Sequence, residues 1–386
     1  MAHVRGHRIG RGGHLHHTDL QKYIDFVKKN IVMFVAFLAA LSTTFIIPID
    51  REYIGYFDFK TLTCLFCVLA VVCAFKNINF FYIIAKSIVK YFKTARVCVI
   101  ALVYITFIGS MLIANDMALL TFLPLGFFVL STTGKKKYMA TTFILQNIAA
   151  NLGGMLTPFG NPQNLYLYTK FNIPTAEFVA VMAPPFVVSI VLITLCCFFV
   201  KNEQLEIADE PVKLDIKKVV IYSLLFILSI AIVFRGIHYL IGLLIIPAVL
   251  FFMDRKALRD VDYGLLLTFV FFFIFSGNMA RIPAVRQFFS YLLEKNTLIV
   301  SALSCQFISN VPSAILLSQF TENYRALLVG VNIGGVGTLI SSLASLITFR
   351  EYSKNAPHKI KSYIVKFSAF NFAFLIILLV VESIIL

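Results

Sequence analysis

The chain has 386 residues, 59% of them hydrophobic and only 14% charged, with a mean hydropathy of +0.87. A soluble domain carries about a quarter charged residues, so this composition identifies an integral membrane protein. The net charge of +15 does not point to nucleic acid, because Lys and Arg sit in short loops rather than on one face.

Apolar blocks of about 18 to 25 residues match helices that cross about 30 Å of hydrocarbon and exclude a barrel of short alternating strands. Residues 1–30 form a basic, Gly- and His-rich tail with His3, His7, His14, His16 and His17. The tail is expected to stay disordered and solvated, with metal binding by its histidines as the minor alternative. Residues 31–49 are the first span, an anchor rather than a removed signal peptide, since no small-residue cleavage site follows. Residues 61–75 form a second, short span. Residues 78–93, where Lys86, Lys90 and Lys93 interrupt aromatic and aliphatic side chains after Lys76, fit a helix lying in the membrane interface.

Residues 96–131 are one apolar stretch with a polar break at Asn115-Asp116, followed by Lys135, Lys136 and Lys137. Basic loops stay cytoplasmic, so the tail, residues 76–96 and the triple lysine belong on the inner side, and both ends of the stretch emerge together. Two full spans or a re-entrant hairpin satisfy this, and the missing loop at the break favours the hairpin. Residues 138–170 hold NLGGMLTPFGNPQN from Asn151 to Asn164, whose three glycines and two prolines unwind a helix in mid-membrane. Residues 176–200 cross back, 201–217 are a polar linker, and spans at 219–234 and 237–253 lead to Arg255, Lys256 and Arg259. The seven cysteines, Cys64, Cys67, Cys73, Cys98, Cys196, Cys197 and Cys305, lie almost entirely inside apolar blocks and read as packing thiols rather than disulfides or zinc ligands.

The chain repeats itself. NLGGMLTPFGNPQNLYLY from Asn151 aligns without a gap on NIGGVGTLISSLASLITF from Asn332, pairing Asn151 with Asn332, Gly153 with Gly334, Gly154 with Gly335, Thr157 with Thr338 and Leu165 with Leu346. Upstream, Ala114-Asn115-Asp116 pairs with Ser309-Asn310-Val311 and Phe57-Asp58-Phe59 with Val261-Asp262-Tyr263. The second copy is then a span at 262–280, an interfacial helix at 282–294, a hairpin at 298–320, a broken span at 325–349 and a closing span at 364–386. Each copy makes an odd number of crossings, so the two are expected to be inverted. Arg350, Lys354, Lys359, Lys361 and Lys366 put the end of the second broken span inside, in agreement, so the first hairpin opens inward and the second outward.

The expected architecture is an all-α polytopic membrane protein of two inverted repeats, each with a re-entrant hairpin and a broken transmembrane helix, with about nine crossings plus two hairpins. Residues 1–30 are the cytoplasmic tail, 31–49 the first helix, 50–200 the first repeat, 201–254 a linker and two transmembrane helices, and 255–386 the second repeat. The expected setting is the cell membrane, with the N-terminus cytoplasmic and the C-terminus extracytoplasmic.

A helix broken in mid-membrane exposes backbone groups that lipid cannot satisfy, and these serve ions and small ligands. No Lys or Arg lies in the tips or breaks, so a bound anion is expected to rest on the neutral donors Asn115, Asn161, Gln163, Asn164, Asn310, Thr338, Ser341 and Ser342. Asp116, a carboxylate at mid-membrane depth, is assigned a coupling role, with helix capping as the alternative. Gly153, Gly154, Gly334 and Gly335 read as site-forming backbone over close helix packing. Arg235, His238 and Arg281, near span ends, read as interface anchors. Thr133-Gly134-Lys135-Lys136 lacks the upstream glycine and the following Ser or Thr of a phosphate loop, and no hydrolase motif is present.

Through ANDMALLTFLP from Ala114, NLGGMLTPFGNPQNLYLY from Asn151, SNVPSAILLS from Ser309 and NIGGVGTLISSLASL from Asn332, residues 58–386 resemble the ion transporter superfamily of divalent anion/sodium symporters, citrate transporters and arsenite permeases. The resemblance implies a homodimer in which a mobile domain carries substrate past a scaffold by an elevator-like displacement. It also implies that hairpin tips and unwound loops bind cation and anion. The symporter tips read Ser-Asn-Thr, and the first tip here, Ala114-Asn115-Asp116, is closer to the arsenite permease pattern.

The expected function is secondary active transport of a small anion, citrate- or dicarboxylate-like or an inorganic oxyanion, coupled to a sodium or proton gradient and needing no further cofactor. Alternatives are an arsenite permease-like protein, a cation/proton antiporter, a passive channel and, last, a membrane enzyme. The expected shell is Asn115, Asp116, Asn151, Gly153, Gly154, Thr157, Pro158, Gly160, Asn161, Gln163 and Asn164 from the first copy with Ser309, Asn310, Asn332, Gly334, Gly335, Thr338, Ser341 and Ser342 from the second. Candidate sodium positions are Asn115, Asp116 and Asn151, and Asn310 with Asn332. The expected partners are lipid, the anion and a second copy of the chain, with no nucleic acid.

Overall fold

The computed structural model describes residues 13–208 and 212–386, the side chains of residues 13–20 aside. Residues 1–12, with His3 and His7, and the side chains of His14, His16 and His17 lie outside the described residues. From residue 13 the tail departs from expectation: α1 runs Gly13–Lys29. Beyond Gly13 it contains neither Pro nor Gly, and Lys28 and Lys29 occupy the last turn, where cations offset the helix dipole. Next, α2 (Ile31–Thr44) is shorter than the expected first span. Its 14 residues reach about 21 Å at 1.5 Å per residue, and Pro48 follows as a breaker.

The first copy then unfolds in the expected order: α3 (Phe59–Asn77), α4 (Phe80–Val89), α5 (Ala95–Ile113), α6 (Asn115–Thr132), α7 (Met139–Gly153), α8 (Pro162–Lys170) and α9 (Thr175–Cys197). The linker leads to α10 (Ile216–Val233), α11 (Tyr239–Met253) and α12 (Arg255–Asp260). The second copy holds α13 (Tyr263–Ala280), α14 (Pro283–Ile308), α15 (Asn310–Leu317), α16 (Tyr324–Ile333), α17 (Leu343–Asn355) and α18 (Ile360–Ile385). Within α14, Asn296 leaves helical geometry (φ −165°, ψ 95°) and its side chain caps the N–H of Ile299 at 2.9 Å. That kink separates the interfacial helix expected at 282–294 from the first arm of the second hairpin.

Seven helices among the described residues are long and apolar enough to cross a membrane: α3, α5, α6, α9, α10, α13 and α18. Both arms of the first hairpin, α5 and α6, are in that set, so their length alone does not make them turn back at mid-depth. The second hairpin is unequal, since α15 has 8 residues where α6 has 18. All seven cysteines are free thiols, six buried and Cys196 half-buried.

Packing divides the helices into two groups. α3 packs against α10, α11 and α12, and α2 against α13. The hairpins and broken spans pack on one another, α5 with α6 and α7, α14 with α15 and α16, and α17 with α6 and α7. α8 and α15 touch both groups through α3 and α13.

Candidate functional site

Both hairpins turn on a single residue that leaves the helix with positive φ, Ala114 (68°, ψ 155°) and Ser309 (76°, ψ 162°). Neither is glycine, so each tip carries roughly 1–3 kcal/mol of backbone strain, which persists only where the surroundings enforce it. The enforcement is the same in both halves. The Asn115 N–H donates to the Gly160 carbonyl (3.1 Å) and the Asn310 N–H to the Ser341 carbonyl (2.9 Å). Each tip asparagine then accepts from the next N–H, Asp116 onto Asn115 Oδ1 and Val311 onto Asn310 Oδ1, both at 2.9 Å.

The register found in the sequence reappears in contacts. Thr157 Oγ1 donates to the Met111 carbonyl (2.7 Å), and its counterpart Thr338 Oγ1 donates to the Gln306 carbonyl (3.0 Å). A Cβ on Gly153 would lie 2.2 Å from the Phe107 carbonyl oxygen and 2.7 Å from Ser110 Oγ, and one on Gly334 would lie 2.8 Å from Cys305 and 2.9 Å from Ala302. Met111 and Gln306, Phe107 and Ala302, and Ser110 and Cys305 are each separated by the offset that relates Asn115 to Asn310. Asp58 and Asp262 are also equivalent, capping Thr61 and Leu265 N–H groups at 2.9 Å. Both broken spans are therefore unwound where expected, and close packing and site-forming backbone turn out to be the same feature: the glycines let each break press against its own hairpin.

The two breaks meet. Asn332 is 1% exposed; its Nδ2 donates to Asn164 Oδ1 (2.6 Å) and its Oδ1 accepts from Asn161 Nδ2 (3.1 Å) and Gln163 Nε2 (3.2 Å). Asn115 Nδ2 donates to Asn151 Oδ1 (3.3 Å). A Cβ on Gly335 would stand 3.3 Å from Asn310 Nδ2 and 3.5 Å from Asn151 Oδ1, which puts both tips and both breaks around one point. Behind it, Asn147 bridges α7 to Ser345 and Thr348 of α17.

Asn115, Asp116, Gln163, Ser309 and Asn310 face a cavity of about 510 Å³, and Asn161 joins Asp116 along a neighbouring one of about 500 Å³. Asn151, Asn164, Asn332, Ser341 and Ser342 are buried behind them, with Thr157, Pro158, Gly160 and Thr338 in the loops themselves. Asn164 Nδ2 is taken up by the carbonyls of Gly154, Met155 and Thr157, Ser341 Oγ by Gly335 and Thr338, and Ser342 Oγ by Ser345. The neutral donors expected to hold an anion are thus largely spent inside the shell. Asn310 Nδ2 stays open on the cavity, with no acceptor among the described residues, and three oxygens have no partner either: Asp116 Oδ1, Asn161 Oδ1 and Gln163 Oε1 are buried, and no donor among the described residues reaches them. Leaving such an acceptor unpaired costs about 1–3 kcal/mol, a cost that a cation or a proton at that oxygen would relieve.

Several contributors escape the sequence reading. Gln306 Nε2 gathers the carbonyls of Ala302 (3.1 Å), Gly334 (2.9 Å) and Val336 (3.2 Å), so it clamps the second break. Its signal was a lone amide in an apolar arm one turn before the tip. Arg235, expected as an interface anchor, instead donates to the carbonyls of Tyr168 (2.8 Å) and Ile173 (3.0 Å) and covers the Tyr168 ring, closing the free end of α8. Asp262 lines both cavities together with Asp116. Arg281, at a span end as expected, grips Asp50 at 2.6 and 3.1 Å.

Comparison with known proteins agrees with this construction. Residues 21–324 match the model of a family described as citrate transporter. The chain is 35% identical over 297 residues to an uncharacterized transporter of Methanocaldococcus jannaschii, covering 76% of this chain and 81% of the relative. It is 28% identical over 326 residues to the inner membrane protein YbiR of Escherichia coli, covering 81% and 85%. The family match ends at the first residue of α16, so the second break and its meeting with the first are supplied by the geometry. With its apolar helices, its paired tips and its match over most of its length, the chain belongs to the citrate transporter family and is a multi-pass membrane transporter.

Proposed function

We propose that the protein is a secondary active transporter of a small anion of the carboxylate class, driven by a sodium or proton gradient. The coupling ion sits at Asp116, Asn161 and Gln163, and the anion occupies the cavity between the two tips. The observation that carries the reading is the trio of buried oxygens without donors at the junction of the first tip with the first break. A carboxylate in that position is costly unless neutralised, so its loading with a cation and the admission of an anion become linked events.

Alternating access follows from an elevator-type movement, in a homodimer, of the hairpin and broken-span group past the group built on α3 and α13. The packing of the hairpins and broken spans on one another, and of α10, α11 and α12 on α3, supports this part. A second reading, a cation/proton antiporter in which no organic anion binds, draws on the same three acceptors.

Proteoliposomes separate the readings. Concentrative uptake of labelled citrate or succinate that requires an imposed sodium or proton gradient is the expected result. Exchange of cations without anion movement would establish the antiporter, and equilibration without a gradient would establish a channel.

A further inference from the structure

The cavity between the tips has a wall that belongs to neither repeat. The end of α1 and the start of α2, from Lys29 to Met33, line it opposite Asn115 and Asn310, and Arg350 of α17 lines it from a third side. This wall is pinned. Arg350 Nη2 donates to the Lys28 carbonyl at 2.8 Å, and Asn30 Oδ1 lies 2.2 Å from where a Cβ on Gly264 would stand, which only a glycine at that position permits. The result is that Lys29 and Arg350, from opposite ends of the sequence, converge at one cavity, and no ion pair among the described residues engages either.

We infer that Lys29 and Arg350 form a cationic mouth that recruits the anion and sets its charge preference. This rests on the proposed reading of the protein as an anion transporter and names its specificity-determining groups. The argument is one of charge within a confined space. Among the described residues, the ionisable groups lining the cavity are Lys29, Arg350, Asp116 and Asp262. With both carboxylates charged the balance is neutral, and an anion gains little. Once a cation or proton occupies Asp116, the balance becomes positive and the apolar walls, among them Phe272, Phe275 and Leu343, focus that field instead of screening it. The mouth therefore attracts an anion chiefly when the coupling ion is loaded, and more strongly the more charge the anion carries. The N-terminal helix, outside both repeats, becomes part of substrate selection.

The test is a charge series in proteoliposomes containing the full chain. Wild type, K29Q and R350Q are compared for uptake of citrate, succinate and lactate, which carry three, two and one negative charges at alkaline pH. Lys29 Nζ makes no hydrogen bond among the described residues that a glutamine would break, so K29Q is expected to keep the fold, and thermal unfolding of each variant checks it. In K29Q the KM is expected to rise about tenfold for citrate, about fivefold for succinate and less than about twofold for lactate, with maximal rate unchanged. K29R restores the wild-type values, and the wild-type KM for citrate, but not that of K29Q, climbs steeply with added salt. Equal KM values in wild type and K29Q, or one common factor across the three anions, overturns the inference while leaving the transporter reading in place. A wild type that takes up none of the three anions defeats the reading itself, and the inference with it.

Discussion

Asn332 donates from Nδ2 to Asn164 Oδ1 at 2.6 Å, joining the second helix break to the first. The same side chain accepts from Asn161 and Gln163, so one residue holds together three amides of the other half. This knot fixes which atoms of the first break are spent and which are left without a partner.

Removing the knot should be expensive. N332A leaves Gln163 Nε2 and Asn164 Oδ1 without partners in a buried place and Asn161 Nδ2 with the Asn151 carbonyl alone, and a loss of about 3 kcal/mol is expected. Thermal unfolding of the purified variants measures it. A double-mutant cycle of N332A with N164A should show a coupling of at least about 0.5 kcal/mol, and strictly additive losses would show that the pair does not act together.

The glycines that seat the breaks on their hairpins make a second prediction. G153A would bring a methyl group to 2.2 Å from the Phe107 carbonyl oxygen, and G334A to 2.8 Å from Cys305. Each should cost about 1–3 kcal/mol, with G153A the worse because backbone cannot step aside. At Gly55 nothing lies within 4 Å, so G55A should leave the melting temperature unchanged.

A surface ion cluster predicts an acid-sensitive step. Glu203 accepts from Lys137, Lys135 and Tyr138 at 2.6, 2.9 and 2.7 Å, and those hydrogen bonds pull its carboxyl down to about 2 from an ordinary 4.5. The folded value is depressed, so the stabilisation is complete above pH 4.5 and is lost as pH falls from there through about 2. Melting curves across that window should fall for wild type and be flatter for E203Q. Parallel curves would show that Glu203 contributes nothing to the acid response.

Much of this was legible in the sequence, because the physics involved is local. Gly153 and Gly154 weaken a helix and Pro158 interrupts it, and the polar Asn115 and Asn310 inside apolar runs mark the tips. The register relating Asn151 to Asn332 sufficed to find both breaks before any contact was known. What escaped depends on partners remote in sequence. Whether Asn161 and Gln163 offer nitrogen or oxygen is decided by Asn332, in the other copy. Arg235 reads as a membrane anchor until α8 is seen to end beneath it, and Lys29 reads as part of a disordered tail until α1 forms and Arg350 fastens it. The shortness of α15 was legible, since Ser318 and Gln319 follow Leu317 and the expected hairpin ended at residue 320.

The central claim is that cation loading at Asp116 and anion binding between the tips are one linked equilibrium. Calorimetric titration of citrate into the purified protein, with the coupling cation present and absent, tests it most directly. Wild type should bind citrate at least about tenfold more tightly with the cation, the cation should gain by the same factor from citrate, and D116N should bind citrate equally well in both conditions. A wild-type affinity indifferent to sodium and to pH, or a D116N variant that keeps the full dependence, would contradict it.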